Sequence, residues 1–151
     1  MMSVPKIFRC FALAALVLTG CAGRTPNPAR GPNAFTVVFS VTRAKDHAAI
    51  ASISLPTIPG SEARTKVAAK APAENEPAVR EFIARLNRTR QPGVYELVTR
   101  VSLREAIRNK KGKLKVNKRF IGALAPTRVG ESQVVSAEGD PVQVEARLER
   151  R

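Results

Sequence analysis

The sequence lacks several residue types on which common functions depend. It contains no Trp and a single Tyr, Tyr95, so a sugar-binding platform built by aromatic stacking is not expected. It contains one histidine, His47, and two cysteines, Cys10 and Cys21. A histidine-assisted nucleophile and a thiolate metal site are therefore poorly supported. The glycines do not cluster as a phosphate-binding loop requires.

No apolar run is long enough to span a bilayer. Residues 10–18, CFALAALVL, are nine apolar residues that follow the positive charges of Lys6 and Arg9. A transmembrane helix needs about 20 such residues, whereas a shorter run behind positive charges is typical of a secretory signal. We therefore expect an exported protein.

The run ends in the sequence LTGC at residues 18–21. This resembles the lipobox of bacterial lipoproteins, in which an aliphatic residue and two small residues precede the cysteine that becomes the first mature residue. The resemblance covers residues 1–22 and implies that Cys21 carries fatty acyl chains, which anchor the protein to a membrane. Ala22 follows the cysteine in place of Asp, and in enterobacterial lipoproteins this implies the outer membrane of the cell envelope. An ordinary cleaved signal, with no role for Cys21, is the alternative.

These features predict three segments. Residues 1–20 are expected to be a cleaved signal peptide, residues 21–34 a lipidated cysteine with a flexible tether rich in Pro, Gly, Ala and Asn, and residues 35–151 a single domain. Once Cys10 is removed and Cys21 is acylated, the domain has no cysteine for a disulfide, so packing alone must hold it.

The hydrophobic pattern predicts an α+β fold with two layers, in which one amphipathic helix covers an antiparallel β-meander sheet. The helix is expected at residues 77–90, because Val79, Phe82, Ile83 and Leu86 fall at the spacing of one helical face. Residues 61–76 fit either a strand near 64–70 or a loop. Strands are expected at residues 35–43, 49–55, 94–108, 113–125, 132–137 and 141–149.

Positive charge is concentrated in one part of the chain. The net charge is +14, and residues 100–119 hold nine basic side chains and one acidic side chain. If residues 109–112 form a four-residue hairpin loop, Arg108 pairs with Lys113, and apolar and basic side chains separate onto opposite faces. Glu105 and Lys118 then become an ion pair on the apolar face. The predicted anion-binding residues are Arg100, Arg104, Arg108, Lys113, Lys115 and Arg119.

These observations favour a non-catalytic outer-membrane lipoprotein that acts as a tethered binding or assembly domain. Its lipid anchor would contact the membrane, and its basic face would engage an anionic lipid, lipopolysaccharide, a cell-wall polymer or a partner protein of the envelope. The alternative is a basic face that binds no ligand, and that is only solvated or protects the hairpin from edge-to-edge aggregation.

Two other function classes remain as alternatives. Binding of extracellular DNA fits the charge, but export and the lack of stacking aromatics argue against nucleic acid. An envelope enzyme is less expected, because residues 44–47, which include Asp46 and His47, are predicted to form a turn and no nucleophile motif accompanies them. No cofactor and no metal are expected.

The lipobox generates the first testable prediction. The wild-type protein should stay with membranes through a high-salt wash, and the Cys21→Ser variant should lose the acyl chains and be released by that wash, because the thiol is the attachment point of the lipid. Membrane fractionation combined with the intact mass of the purified protein measures both effects. Equal membrane association of the two forms, with no lipid mass on wild type, would contradict the anchor.

Overall fold

The chain folds as an all-β protein. The computed structural model describes residues 33–68 and 71–151, and these residues form eight β-strands and no helix. The strands are β1 (Phe35–Arg43), β2 (Ala49–Thr57), β3 (Glu62–Lys66), β4 (Ala78–Arg88), β5 (Val94–Arg108), β6 (Leu114–Arg128), β7 (Ser132–Val134) and β8 (Val142–Arg150).

Two antiparallel sheets of four strands enclose one core. Sheet A has the strand order β2-β1-β8-β7 and sheet B the order β3-β4-β5-β6. The core takes fully buried side chains from both sheets, and the rings of Phe39 on β1 and Phe82 on β4 lie 5.1 Å apart between them. The arrangement is a two-layer β-sandwich.

Buried and exposed side chains alternate along the strands of sheet A, most regularly on β8. On β8, the side chains of Val142, Val144, Ala146 and Leu148 are buried, and the residues between them face solvent. This half-buried strand confirms the sequence prediction. β8 pairs along its whole length with β1, so the first and last strands of the described chain lie side by side.

The predicted helix at residues 77–90 is wrong, because this segment forms strand β4. Phe82, Ala84 and Leu86 alternate inward as in any strand. The ladder with β5 is interrupted between Val79 and Glu81, where Arg80 is the extra residue of a β-bulge. The bulge turns Val79 inward as well, so that Val79, Phe82 and Leu86 reproduce the i, i+3, i+7 spacing of a helix.

The α+β fold class is therefore corrected to all-β. The layer that covers sheet B is sheet A, and the expected single meander is divided between two sheets. The strands expected at 35–43 and 94–108 are confirmed with the same bounds, and those expected at 49–55, 113–125, 132–137 and 141–149 are confirmed with shifted ends. Near residues 64–70 the structure has the short edge strand β3.

The predicted signal peptide, Cys21 and most of the tether lie outside the described residues. No helix in the described part of the chain is long and apolar enough to cross a membrane. Every residue of the hydrophobic core lies between Phe35 and Leu148. A form of the protein that begins at Ala22 therefore retains the entire core.

The packing between the sheets generates a stability prediction. Phe82→Ala should lower the free energy of unfolding by about 3–5 kcal/mol, because it removes a fully buried ring that contacts the opposite sheet. Val134→Ala, at a side chain that is 74% exposed, should change it by less than about 0.5 kcal/mol. Urea denaturation followed by circular dichroism measures both. A comparable loss in the two variants would show that Phe82 is not in the core.

Candidate anion-binding site

The loop between β5 and β6 decides which side chains share a face. The N–H of Asn109 donates to the carbonyl of Lys113 (2.8 Å), and the N–H of Gly112 donates to the carbonyl of Asn109 (2.9 Å). Gly112 has φ 76°, in the left-handed region. These features belong to a three-residue hairpin loop closed by a glycine. The side chain of Asn109 strengthens it by accepting from the N–H groups of Lys111 and Lys113.

The observed register differs by one residue from the sequence prediction. Arg108 pairs with Leu114 instead of Lys113. The predicted separation of apolar and basic faces is therefore wrong. At the hairpin tip, Ile107 on one face and Leu114 on the other are both exposed. Burial cannot select a register where neither face is buried, so the loop geometry selects it.

The six predicted anion-binding residues are distributed over both faces of the hairpin. Arg100, Arg104 and Arg108 project from the outer face of sheet B. Lys115 and Arg119 have the opposite parity and lie on the side that faces sheet A. Lys113 lies in the loop, outside both strands. Of the six, only the three arginines of β5 therefore share the outer face.

Arg108 is held in an ion pair. Its Nε and Nη2 atoms donate to the two carboxylate oxygens of Glu74 at 2.9 and 2.8 Å, and its Nη1 donates to the carbonyl of Gly112 at 2.7 Å. Hydrogen bonds from Arg108, with its charge, lower the pKa of Glu74. Arg108 therefore fastens the hairpin loop to the segment before β4, and its charge is already compensated.

Arg119 has a comparable structural role. It forms ion pairs with Glu105 of sheet B at 3.5 Å and with Asp140, just before β8, at 3.2 Å. It therefore links the two sheets at the margin of the core. The predicted ion pair of Glu105 with Lys118 is wrong, because the register places Lys118 on the outer face, away from Glu105.

Five cations from all four strands of sheet B surround a cavity of about 380 Å³ on the outer face. We call this the cationic pocket. Arg104 and Lys118 are directly opposed across the β5–β6 ladder, although like charges in that position destabilise a sheet by up to about 1 kcal/mol. The cations of the pocket are Arg64, Lys66, Arg80, Arg104 and Lys118.

The charge in the cationic pocket is only partly compensated. Glu81 is the carboxylate in its lining, and it lies 3.6 Å from Arg64, which also pairs with Glu62 at 2.9 Å. Neither Arg104 nor Lys118 forms an ion pair with any carboxylate of the described residues. The pocket therefore presents excess positive charge to solvent, which suits an anionic ligand.

Sequence reasoning found one member of this pocket among its predicted binding residues, Arg104. Arg64 and Lys66 are two residues apart, a spacing that favours one face of a strand. Nothing in the local sequence indicates that this strand pairs with β4. Arg80 lies in the predicted helix, and the predicted hairpin register places Lys118 on the apolar face instead of the outer face. The omissions of Arg64, Lys66 and Arg80 come from pairing between strands, which the local pattern does not specify, and that of Lys118 comes from the hairpin register.

Exposed apolar side chains lie beside these cations. Leu114, Val116, Phe120 and Leu124 are 54%, 55%, 51% and 63% exposed, and all four project from the outer face of β6. We call them the apolar row. The guanidinium of Arg100 lies 4.1 Å from the centroid of the Phe120 ring, a cation–π contact that joins the cations to the row.

Other side chains that could serve in catalysis or metal binding are few among the described residues. His47 lies in the β1–β2 turn with φ 56°, and its Nδ1 is 3.1 Å from Oε1 of Gln143. Asp46 accepts from the N–H of Ala48 and from Arg43, and the first of these contacts does most to lower its pKa. His47 and Asp46 thus have different hydrogen-bond partners. Within the described residues, no group of three His, Cys, Asp or Glu side chains is placed to hold a metal.

A second cavity, of about 470 Å³, lies on the outer side of sheet A, against the β7–β8 connection. Its polar lining includes Ser40, Thr42, Gln143 and the carboxylates Glu138 and Glu145. It contains no cation, so it is unrelated to the basic surface of sheet B.

Comparisons with protein-family models, with curated proteins and with solved structures find no match to this chain.

The contact between Arg108 and Glu74 generates a pH prediction. The pKa of Glu74 should be below that of an ordinary glutamate and should rise in Arg108→Gln, but remain low in Lys115→Gln. Because the folded-state pKa is lowered, this contact stabilises the fold fully above the ordinary carboxyl pKa and loses its effect as the pH falls through the lowered value. A side-chain carboxyl NMR titration measures the pKa directly. An unchanged value in Arg108→Gln would mean that the contact does not persist in solution.

Proposed function

We propose that this protein is a non-catalytic lipoprotein of the bacterial outer membrane, anchored through Cys21, whose β-sandwich binds an anionic component of the cell envelope at the outer face of sheet B. The lipobox supports the anchor. The observation that carries the binding function is the cationic pocket, in which Arg104 and Lys118 are opposed without a carboxylate partner among the described residues.

An anion explains an arrangement that costs stability in the free protein. Opposed cations repel each other, and a ligand phosphate or carboxylate between them converts that repulsion into attraction. The pocket lies on a sheet, so its backbone is fixed by ladders on both sides of β4 and β5. The backbone therefore need not rearrange for the cations to bind, which limits the entropy cost of association to that of the side chains.

The lipid anchor makes weak binding sufficient. A domain tethered to a membrane meets targets on that membrane at a high effective concentration, so each contact needs only modest affinity. The tether expected at residues 22–34 would span at most about 45 Å when fully extended. The proposed targets thus lie in the envelope layer next to the membrane.

Extracellular DNA is the alternative ligand for a basic surface. DNA binding by charge alone would show a steep salt dependence, but single-stranded recognition also needs several aromatic rings on which bases stack. On the outer face of sheet B, the described residues offer only the ring of Phe120, and Arg100 already covers it. We therefore favour an envelope component over nucleic acid.

The proposal predicts that removing the two opposed charges weakens binding to anions. Arg104→Gln combined with Lys118→Gln should reduce retention of the Ala22–Arg151 form on immobilised lipopolysaccharide by about 2 kcal/mol, since each cation near an anionic surface contributes about 1 kcal/mol. Surface plasmon resonance over a range of NaCl concentrations measures the loss, and binding should weaken as salt increases.

The matched control is Lys45→Gln combined with Arg147→Gln, which removes the same charge from the turn and outer face of sheet A. This variant should bind as the wild type does. If both double variants lose affinity equally, only net charge matters and the pocket is not a site. If duplex DNA displaces the protein from lipopolysaccharide at lower concentrations than free lipopolysaccharide does, the nucleic-acid alternative replaces the proposal.

A further inference from the structure

We infer that the ligand of this face is the surface of a phospholipid bilayer with anionic headgroups, on which the outer side of the β5–β6 hairpin lies flat. This inference rests on the proposed function and specifies its ligand. The cationic pocket would bind headgroup phosphates, and the apolar row would enter the boundary between headgroups and acyl chains.

The apolar row is the first argument. Four large side chains project at least half exposed from one face of the edge strand β6, along about 33 Å from Leu114 to Leu124. A soluble polyanion would leave them in water. Extended apolar surface with a polar rim is typical of membrane or protein interfaces.

The second argument is the way in which cations and apolar groups alternate. Lys118 projects between Val116 and Phe120 along β6, and Arg100 lies against the ring of Phe120 on the neighbouring strand. Lys and Arg side chains reach with their charged ends toward headgroups while their aliphatic stems lie on apolar surface. A surface that mixes both groups at this spacing matches the interface of an anionic bilayer.

The charge also argues against a second copy of the chain. A symmetric dimer through this face would place Arg100, Arg104 and Lys118 of one protomer against the same residues of the other. Those like charges would lose their hydration and repel each other. A surface rich in phosphate offers the complementary charge.

The position of the chain start is compatible with this orientation. Asn33, just before β1, accepts a hydrogen bond from Arg88 at the end of β4, so this point of the chain lies beside the end of sheet B that is opposite the hairpin loop. From Cys21, the intervening residues 22–32 extend at most about 40 Å. β5 is about 50 Å long, so an anchor near one end of the strand permits its outer face to lie along the membrane.

The test uses the Ala22–Arg151 form, so that binding does not depend on the anchor. Sedimentation with vesicles of three parts phosphatidylcholine to one part phosphatidylglycerol should retain the wild type, and vesicles of phosphatidylcholine alone should retain little. Phe120→Ser combined with Leu124→Ser should weaken retention roughly tenfold or more, because both side chains would leave water on binding. Val129→Ser combined with Val134→Ser, at exposed sites outside the apolar row, should have no effect.

A fluorescent probe gives an independent readout. An environment-sensitive dye on Leu124→Cys should shift to the blue with anionic vesicles, and the same dye on Val134→Cys of sheet A should not. Soluble glycerol 3-phosphate should leave both dyes unchanged, which separates a headgroup in a bilayer from a free phosphate.

The outcomes distinguish this inference from the proposed function. If the apolar variant binds vesicles as the wild type does, or the dye at residue 124 does not shift, the bilayer inference is overturned while anion binding stands. If Arg104→Gln with Lys118→Gln leaves retention on vesicles and on lipopolysaccharide unchanged, the proposed function fails as well. Equal binding to uncharged vesicles would overturn the role of the cations.

Discussion

Asn109 determines which side chains of β6 lie on the outer face of sheet B, because its hydrogen bonds close the loop that fixes how β5 pairs with β6. A loop that is one residue shorter on the β6 side would turn every side chain of that strand to the other face. Lys118 would then point toward sheet A, and the opposed pair with Arg104 would not exist. The candidate site thus depends on a turn at some distance from it. Side chains alternate between the two faces along each strand, so the register that the turn sets decides which of them face outward.

The cations of the hairpin divide into two groups with different physical roles. Arg108 and Arg119 are engaged by carboxylates and hold the fold together, one at the hairpin loop and the other between the sheets. Arg104 and Lys118 have no such partners among the described residues, and they border an open cavity. Compensated charges lower the energy of the folded state, whereas uncompensated ones keep their attraction for a ligand. A count of lysines and arginines does not separate these groups.

The sequence predicts the strands well and their partners poorly. Alternation is a local property, so β1, β5 and β8 could be delimited from composition and period alone. The β4 segment could not, because a bulge at Arg80 gives a strand the spacing of a helix, and only the partner strand reveals the extra residue. The loop at Asn109–Lys113 did carry a readable signal, an asparagine three residues before a glycine. The cationic pocket needs β3 beside β4, a pairing that no local pattern encodes.

The pairing of β1 with β8 also has a kinetic consequence. Sheet A has its first strand near the beginning of the described chain and that strand's partner at the very end, where the N–H of Arg151 donates to the carbonyl of Ala34. A ribosome releases β1 long before β8, so the nascent chain cannot complete its sandwich until β8 has emerged. Such long-range closure slows folding. For the proposed export, this delay would keep the polypeptide unfolded while it crosses the membrane.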